Sequence, residues 1–213
     1  MKSQFISGGC LLQRNSYATL YNGEFSSFGE KAELRRNLAD SGRLFGQWDN
    51  LGKFSPDAQQ FCLSCFLALE DAGICSPEQR HSTGIVMADN YEHENDQKRY
   101  FDDYIKGGRQ LGRSSFFVHT LPTSAAADAS VCLKLSGPLL YWRDDSDALD
   151  GLMSAANTFL GDGSAEYMLI GYQIGDEILC IVSQICNGER SKNLHYSAGM
   201  VLTALRKRLE NSA

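Results

Sequence analysis

The sequence predicts an α/β fold, a mixed and mostly parallel sheet with helices on both faces, and three stretches carry that expectation. Gly84–Ala88 (GIVMA) is a short continuous apolar run, the pattern of a strand buried on both sides. Ser55-Pro56-Asp57 opens a helix: serine caps it, proline suits the first helical position and aspartate complements the dipole. Ala58, Phe61, Cys62, Cys65, Phe66, Leu69 and Ala72 then recur at helical period up to a terminating Gly73. Finally, Asp147–Leu160 carries Ala148, Leu149, Leu152, Met153, Ala155, Ala156, Phe159 and Leu160. That is more than one apolar face, so this helix needs cover on most sides.

The 213 residues fit one domain, residues 1–213, and are too few for two full ones at about 100–200 residues each. An apolar fraction of 43% with 22% charged residues is that of a chain with a packed core. A net charge of −6 argues against nucleic acid as a partner, because binding a polyphosphate needs a basic face. No apolar window approaches the roughly 20 residues of a membrane span, and no long apolar segment follows Met1 and Lys2. No membrane association and a cytoplasmic location are expected. Seven cysteines, most inside apolar runs, read as reduced buried thiols rather than a disulfide framework. Cys62 and Cys65 form a CxxC, but lie mid-helix without a second pair, so a core role is expected rather than a metal or redox one.

In chain order, a strand is expected at Gln4–Ile6, extending toward Leu11 and Leu12, with Ser7-Gly8-Gly9-Cys10 as a turn beside it. Glu30–Leu38 reads as a helix within an otherwise irregular stretch over residues 22–53. Ser76-Pro77-Glu78-Gln79 has capping-box spacing but room for only about one turn. In 89–113, Tyr100, Phe101, Tyr104 and Ile105 form a helical stripe, and His93 among Glu92, Glu94 and Asp96 reads as solvated charge, not a metal site. An alanine-rich helix spans Pro122–Leu135 and ends at Gly137-Pro138; Leu139–Trp142 follows as a compact apolar strand. Tyr167–Tyr172 and Glu177–Cys186 form an antiparallel hairpin about Gly175-Asp176. A terminal helix over Leu194–Leu209 is expected to pack beside the Asp147–Leu160 helix, with Arg206, Lys207 and Arg208 complementing its dipole.

Three of these segments, in order, resemble the β-ketoacyl synthases of fatty-acid and polyketide synthesis, which have the thiolase fold. Gly52–Ile74 (GKFSPDAQQFCLSCFLALEDAGI) is similar to the family's early helix. Ser114–Pro138 (SSFFVHTLPTSAAADASVCLKLSGP) resembles the approach to its active-site turn, and Gly161–Tyr172 (GDGSAEYMLIGY) the helix end and strand after the nucleophile. The resemblance covers most of residues 52–172 and implies a thiolase-like half-fold.

Two departures bear on function. The family's nucleophilic cysteine lies nine residues after the glycine of the Gly-Pro turn and seventeen before the later glycine; counted from Gly137 and Gly163, both land on Ser146. A thioester-carrying synthase needs a thiolate there, and a serine without an adjacent base is a weak nucleophile. Asp144, Asp145 and Asp147 around Ser146 suit helix capping and would repel an oxyanion. Ketosynthases also have a second half that supplies two catalytic histidines and a Gly-rich loop; this chain resembles the first half, and His119 and His195 match no such motif.

The resemblance therefore implies a chain-length-factor-like subunit, a non-catalytic partner of a ketosynthase in aryl-polyene-type elongation, without cofactor or metal. The family dimerises through the strand before the nucleophile, here Leu139, Leu140, Tyr141, Trp142 and Arg143. An apolar edge strand needs a partner on physical grounds as well. Tyr141 and Trp142 read either as interface and tunnel residues or as sheet core. Lys98, Arg99, Lys106, Arg109 and Arg113 read either as solvated charges or as a contact for an acidic acyl carrier protein. Two other functions remain open: a Ser146 thioester hydrolase or acyltransferase with His119 or another base, and a homodimeric carrier-binding scaffold.

Overall fold

A computed structural model describes residues 2–44, 48–75, 82–89, 94–110, 112–143, 148–187 and 197–212. Among these residues seven strands form one sheet: β1 (Lys2–Leu12), β2 (Ser16–Thr19), β3 (Phe25–Ser27), β4 (Thr83–Asp89), β5 (Leu139–Tyr141), β6 (Tyr167–Ile174) and β7 (Glu177–Asn187). Their order is β3-β2-β1-β7-β6-β4-β5. The helices are α1 (Lys31–Asp40), α2 (Pro56–Asp71), α3 (Glu94–Lys106), α4 (Ser114–Val118), α5 (Ser124–Leu133), α6 (Ala148–Gly161) and α7 (Ala198–Ser212), with a 3-10 turn at Trp48–Lys53.

The mixed sheet with helices on both faces is as expected, but its strands are mainly antiparallel. Only β5, β4 and β6 run parallel. The two-residue turn at Gly175-Asp176 returns β7 antiparallel to β6, β1 then adds antiparallel to β7, and β2 and β3 continue as a meander. A turn of that length permits only a hairpin.

Two cores result. On one face α2, α5 and α1 bury Phe61, Phe66, Leu67, Ala126, Cys132 and Leu34 against the sheet. On the other, α6 and α7 bury Leu152, Ala156, Leu160, Val201, Leu205 and Leu209. Each large apolar side chain so buried contributes about 1.5–3 kcal/mol. The terminal helix thus packs beside α6, as its stripe predicts. α6 has one fully buried stripe, with Leu149, Met153 and Phe159 half-buried beside it, so its cover is less complete than its composition suggests.

The signals at the start of α2 appear as read: the Ser55 hydroxyl accepts from Ala58 N–H at 3.3 Å, and Pro56 is the first helical residue. The glycines after Ser7 do not make a turn. β1 runs straight through them with a bulge between Ile6 and Gly8. A Cβ on Gly8 would lie 2.6 Å from the Ala72 backbone nitrogen, so the position is small because the end of α2 crosses β1 there. The stretch 22–53, expected to be irregular around one helix, also holds β3 and the 3-10 turn. The alanine-rich helix is shorter than expected: it ends at Leu133 with Lys134 in the left-handed conformation (φ 55°), not at Gly137. At the other end of α7, Arg206 pairs with Glu177 and Arg208 donates to the Thr19 and Leu20 carbonyls, so these cations tie the helix to the sheet rather than only facing its dipole.

Candidate functional site

The sheet ends at β5. Gly137 and Pro138 bring this strand against β4 at very short range: a Cβ on Gly137 would stand 2.4 Å from Gly84 N, and one on Gly84 2.7 Å from the Pro138 carbonyl. Gly137 N–H donates to Thr83 O (3.0 Å), Ile85 N–H to Pro138 O (2.8 Å) and Trp142 N–H to Met87 O (2.8 Å). With Leu140 in register with Val86, that ladder turns the Leu140 amide groups toward β4 and those of Leu139 and Tyr141 outward. Leu139 is 37% exposed and Arg143 is exposed.

Tyr141 and Trp142 point to opposite faces and are both half-buried. Tyr141 packs on the α2 side; its hydroxyl donates to Asp89 Oδ1 at 3.1 Å, and burial, followed by the Asp89 charge, pushes its pKa up to about 12. Trp142 packs on the α6 side, and its buried Nε1 has no hydrogen-bond partner. The strand's outer edge is therefore left to Leu139, with main-chain groups on either side. Ser146, with Asp144, Asp145 and Asp147, lies outside the described residues; α6 begins at Ala148. His81, His93 and His195 lie outside them too.

His119 follows α4, and its Nδ1 is 3.9 Å from Asp128 Oδ2 on α5; both atoms are buried without a hydrogen-bond partner. Burial raises the Asp128 pKa and His119 opposes the rise. One turn further along α5, hydrogen bonding to Cys62 holds the Cys132 thiol pKa below its usual value, while that of Cys62 is raised. Cys65 and Cys180 bring their sulfurs to 3.7 Å, and burial raises the pKa of Cys65 and of Cys10. Cys10, Cys62, Cys65, Cys132 and Cys180 are buried free thiols, as the apolar runs around them predict. Among the described residues no three His, Cys, Asp or Glu side chains converge on a metal-sized site, and no helix is long and apolar enough to cross a membrane.

The basic residues of α3 and the segment after it are not merely scattered. Lys98, Arg99, Lys106 and Arg113 line one groove of about 330 Å³ with Phe116, Asp102 and Asp103. The Arg99 and Arg113 guanidinium carbons lie 4.4 and 4.5 Å from the centre of the Phe116 ring, and Arg113 pairs with Asp103. Phe101 and Ile105 of α3, Phe117 and Val118 of α4, and Leu121 after it are exposed.

Sequence reasoning missed two features. Buried Asp71, at the end of α2, accepts backbone N–H bonds from Gly9 (2.9 Å), Leu20 (3.2 Å), Tyr21 (3.1 Å) and Asn22 (2.7 Å). Its place one residue before Ala72-Gly73 is the only sequence cue, and it does not identify the donors. Arg43 forks onto Glu24 (2.7 and 2.8 Å) and reaches Glu70, with Tyr17 donating to Glu24.

No protein-family model matches the sequence, and no curated protein matches it. Solved structures do match its fold. The ishigamide ketosynthase/chain length factor aligns over 90% of this chain with a TM-score of 0.59 at 12% identity. A type II polyketide synthase ketosynthase, bound to a hexaketide and in complex with its acyl-carrier protein, aligns over 86% (TM-score 0.59, 10% identity). A β-ketoacyl synthase from Burkholderia phymatum STM815 also aligns over 86% (TM-score 0.57, 13% identity). The chain spans 64%, 62% and 59% of those three chains, so the likeness is to part of a ketosynthase fold.

Proposed function

We propose that this chain is a non-catalytic, chain-length-factor-like partner of a ketosynthase. In this reading residues 1–213 form one N-terminal-half domain that pairs through the outer edge of β5 and shapes the cavity for an acyl chain during aryl-polyene-type or related polyketide elongation. The observation that carries the reading is the exposed end of the sheet: β5 is three apolar residues long, Leu139 is exposed, and the strand's outward main-chain groups are available to a partner strand. The fold shared with a ketosynthase/chain length factor supports it. Serine at the position counted for the family's cysteine supports the absence of condensation chemistry. An acidic acyl carrier protein would meet the groove of Lys98, Arg99, Lys106 and Arg113; Arg109 is not among the residues that line it.

Co-expression with a candidate ketosynthase tests the pairing: a heterodimer by size exclusion with light scattering is expected. A stable monomer with no affinity for a ketosynthase would overturn the reading. Ser146→Ala is expected to leave product formation by the complex intact; its loss would favour the hydrolase or acyltransferase.

A further inference from the structure

A cleft of about 690 Å³ opens between α1 and the first turns of α2, away from β5 and independent of the pairing proposed above. Its size lies within the range of small-molecule sites, about 300–1,000 Å³. Lys31 and Arg35, one helical turn apart on α1, line it together with Arg36; among the described residues Glu30 is the one carboxylate in its lining. In a chain of net charge −6 that is a local reversal of sign. Elsewhere Arg43, Arg113 and Arg206 are each paired with a carboxylate. Among the described residues Lys31, Arg35 and Arg36 make neither an ion pair nor a side-chain hydrogen bond, although their like charges repel along one helix. Burial lowers the Lys31 pKa, and Asp57 and Asp176 oppose this from beyond ion-pair distance. Ala32, Ala39 and Pro56 give the cleft an exposed apolar part, with Leu51 and Leu63 buried beneath it and Gln59 and Gln60 beside it.

We infer that this cleft binds a small phosphate-bearing molecule, its phosphate held by Arg35, Arg36 and Lys31 and its remaining part lying against Ala32, Ala39 and Pro56. Two guanidinium forks and an ammonium suit an oxyanion with three terminal oxygens, and concavity favours a small molecule over a protein surface. The N-terminus of α2 adds little: Pro56 has no N–H, and Ser55 already takes the N–H of Ala58.

The test is calorimetric titration of the full chain with inorganic pyrophosphate. Saturable binding is expected, weakened about tenfold or more in Arg35→Gln/Arg36→Gln and unchanged in Lys98→Gln/Arg99→Gln at the other basic groove. Should the first double variant fail to fold, Lys31→Gln is read in its place, with a weakening of about threefold expected. Absence of saturable binding, equal loss in both double variants, or citrate binding as tightly as pyrophosphate would each overturn the inference.

Discussion

Gly151 of α6 lies directly against the indole of Trp142: a Cβ on Gly151 would stand 2.7 Å from Nε1 and 2.8 Å from Cε2. This contact sets how closely α6 approaches the end of β5. Helix propensity alone favours alanine over glycine inside a helix by about 1 kcal/mol. Overpacking against this half-buried indole costs about 1–3 kcal/mol. Gly151→Ala is therefore expected to destabilise, by about 1 kcal/mol net, and urea denaturation gives the sign directly. A stabilised variant would show that the indole moves aside freely.

Asp71 is the main polar clamp between α2 and the β1–β2 region. Its two oxygens receive the N–H groups of Gly9, Leu20, Tyr21 and Asn22, and an amide nitrogen in place of one oxygen would face donors. Asp71→Asn is expected to cost about 3 kcal/mol, the scale of losing charge-assisted bonds and stranding buried donors. The midpoint of urea denaturation should fall with little change in its slope.

What could be read from the sequence follows from which forces are local. The start of α2, the buried strand at β4 and the apolar strand at β5 each have their cause within a few neighbouring residues: a cap, a continuous apolar run, a Gly-Pro turn. Strand direction did not follow from such signals, because the antiparallel majority is set by where β1 inserts beside β7, a contact between residues about 170 apart in sequence. The Gly8 strand position looked like a turn for the same reason: the helix that demands its small size lies some sixty residues away. At the candidate site, the edge position of β5 was legible through the family resemblance and the opposite directions of Tyr141 and Trp142 follow from strand alternation, whereas which core each of them joins and the gathering of α3 cations around Phe116 depend on tertiary packing.

The Asp128 carboxyl makes stability depend on pH in a direction opposite to a salt-bridged acid. Burial raises its native pKa above the usual value near 4, so the folded chain holds the proton more tightly than the unfolded one. The stability this group contributes is full below about pH 4 and is lost as pH rises through the raised native value. Asp128→Asn removes that loss. Its melting temperature is expected to exceed that of the unaltered chain at neutral pH, with the gap closing toward pH 4. A gap of the reverse sign at neutral pH would mean that His119, 3.9 Å away, more than offsets the desolvation.

Leu139 offers the cleanest separation of folding from association. Its side chain is 37% exposed, and its own amide groups face away from β4, so a lysine there can extend into water without disturbing the ladder that Leu140 makes with β4. Its cost to the isolated chain should stay within about 1 kcal/mol, as for surface substitutions. Against a partner strand, the same charge would sit at the pairing edge, where lysine is the residue that opposes strand addition. Leu139→Lys is thus expected to abolish co-purification with a ketosynthase while leaving the urea midpoint of the isolated chain nearly unchanged. Retention of the complex would move the interface away from β5, and the exposed apolar residues Phe101, Ile105, Phe117 and Leu121 would be the next surface to alter.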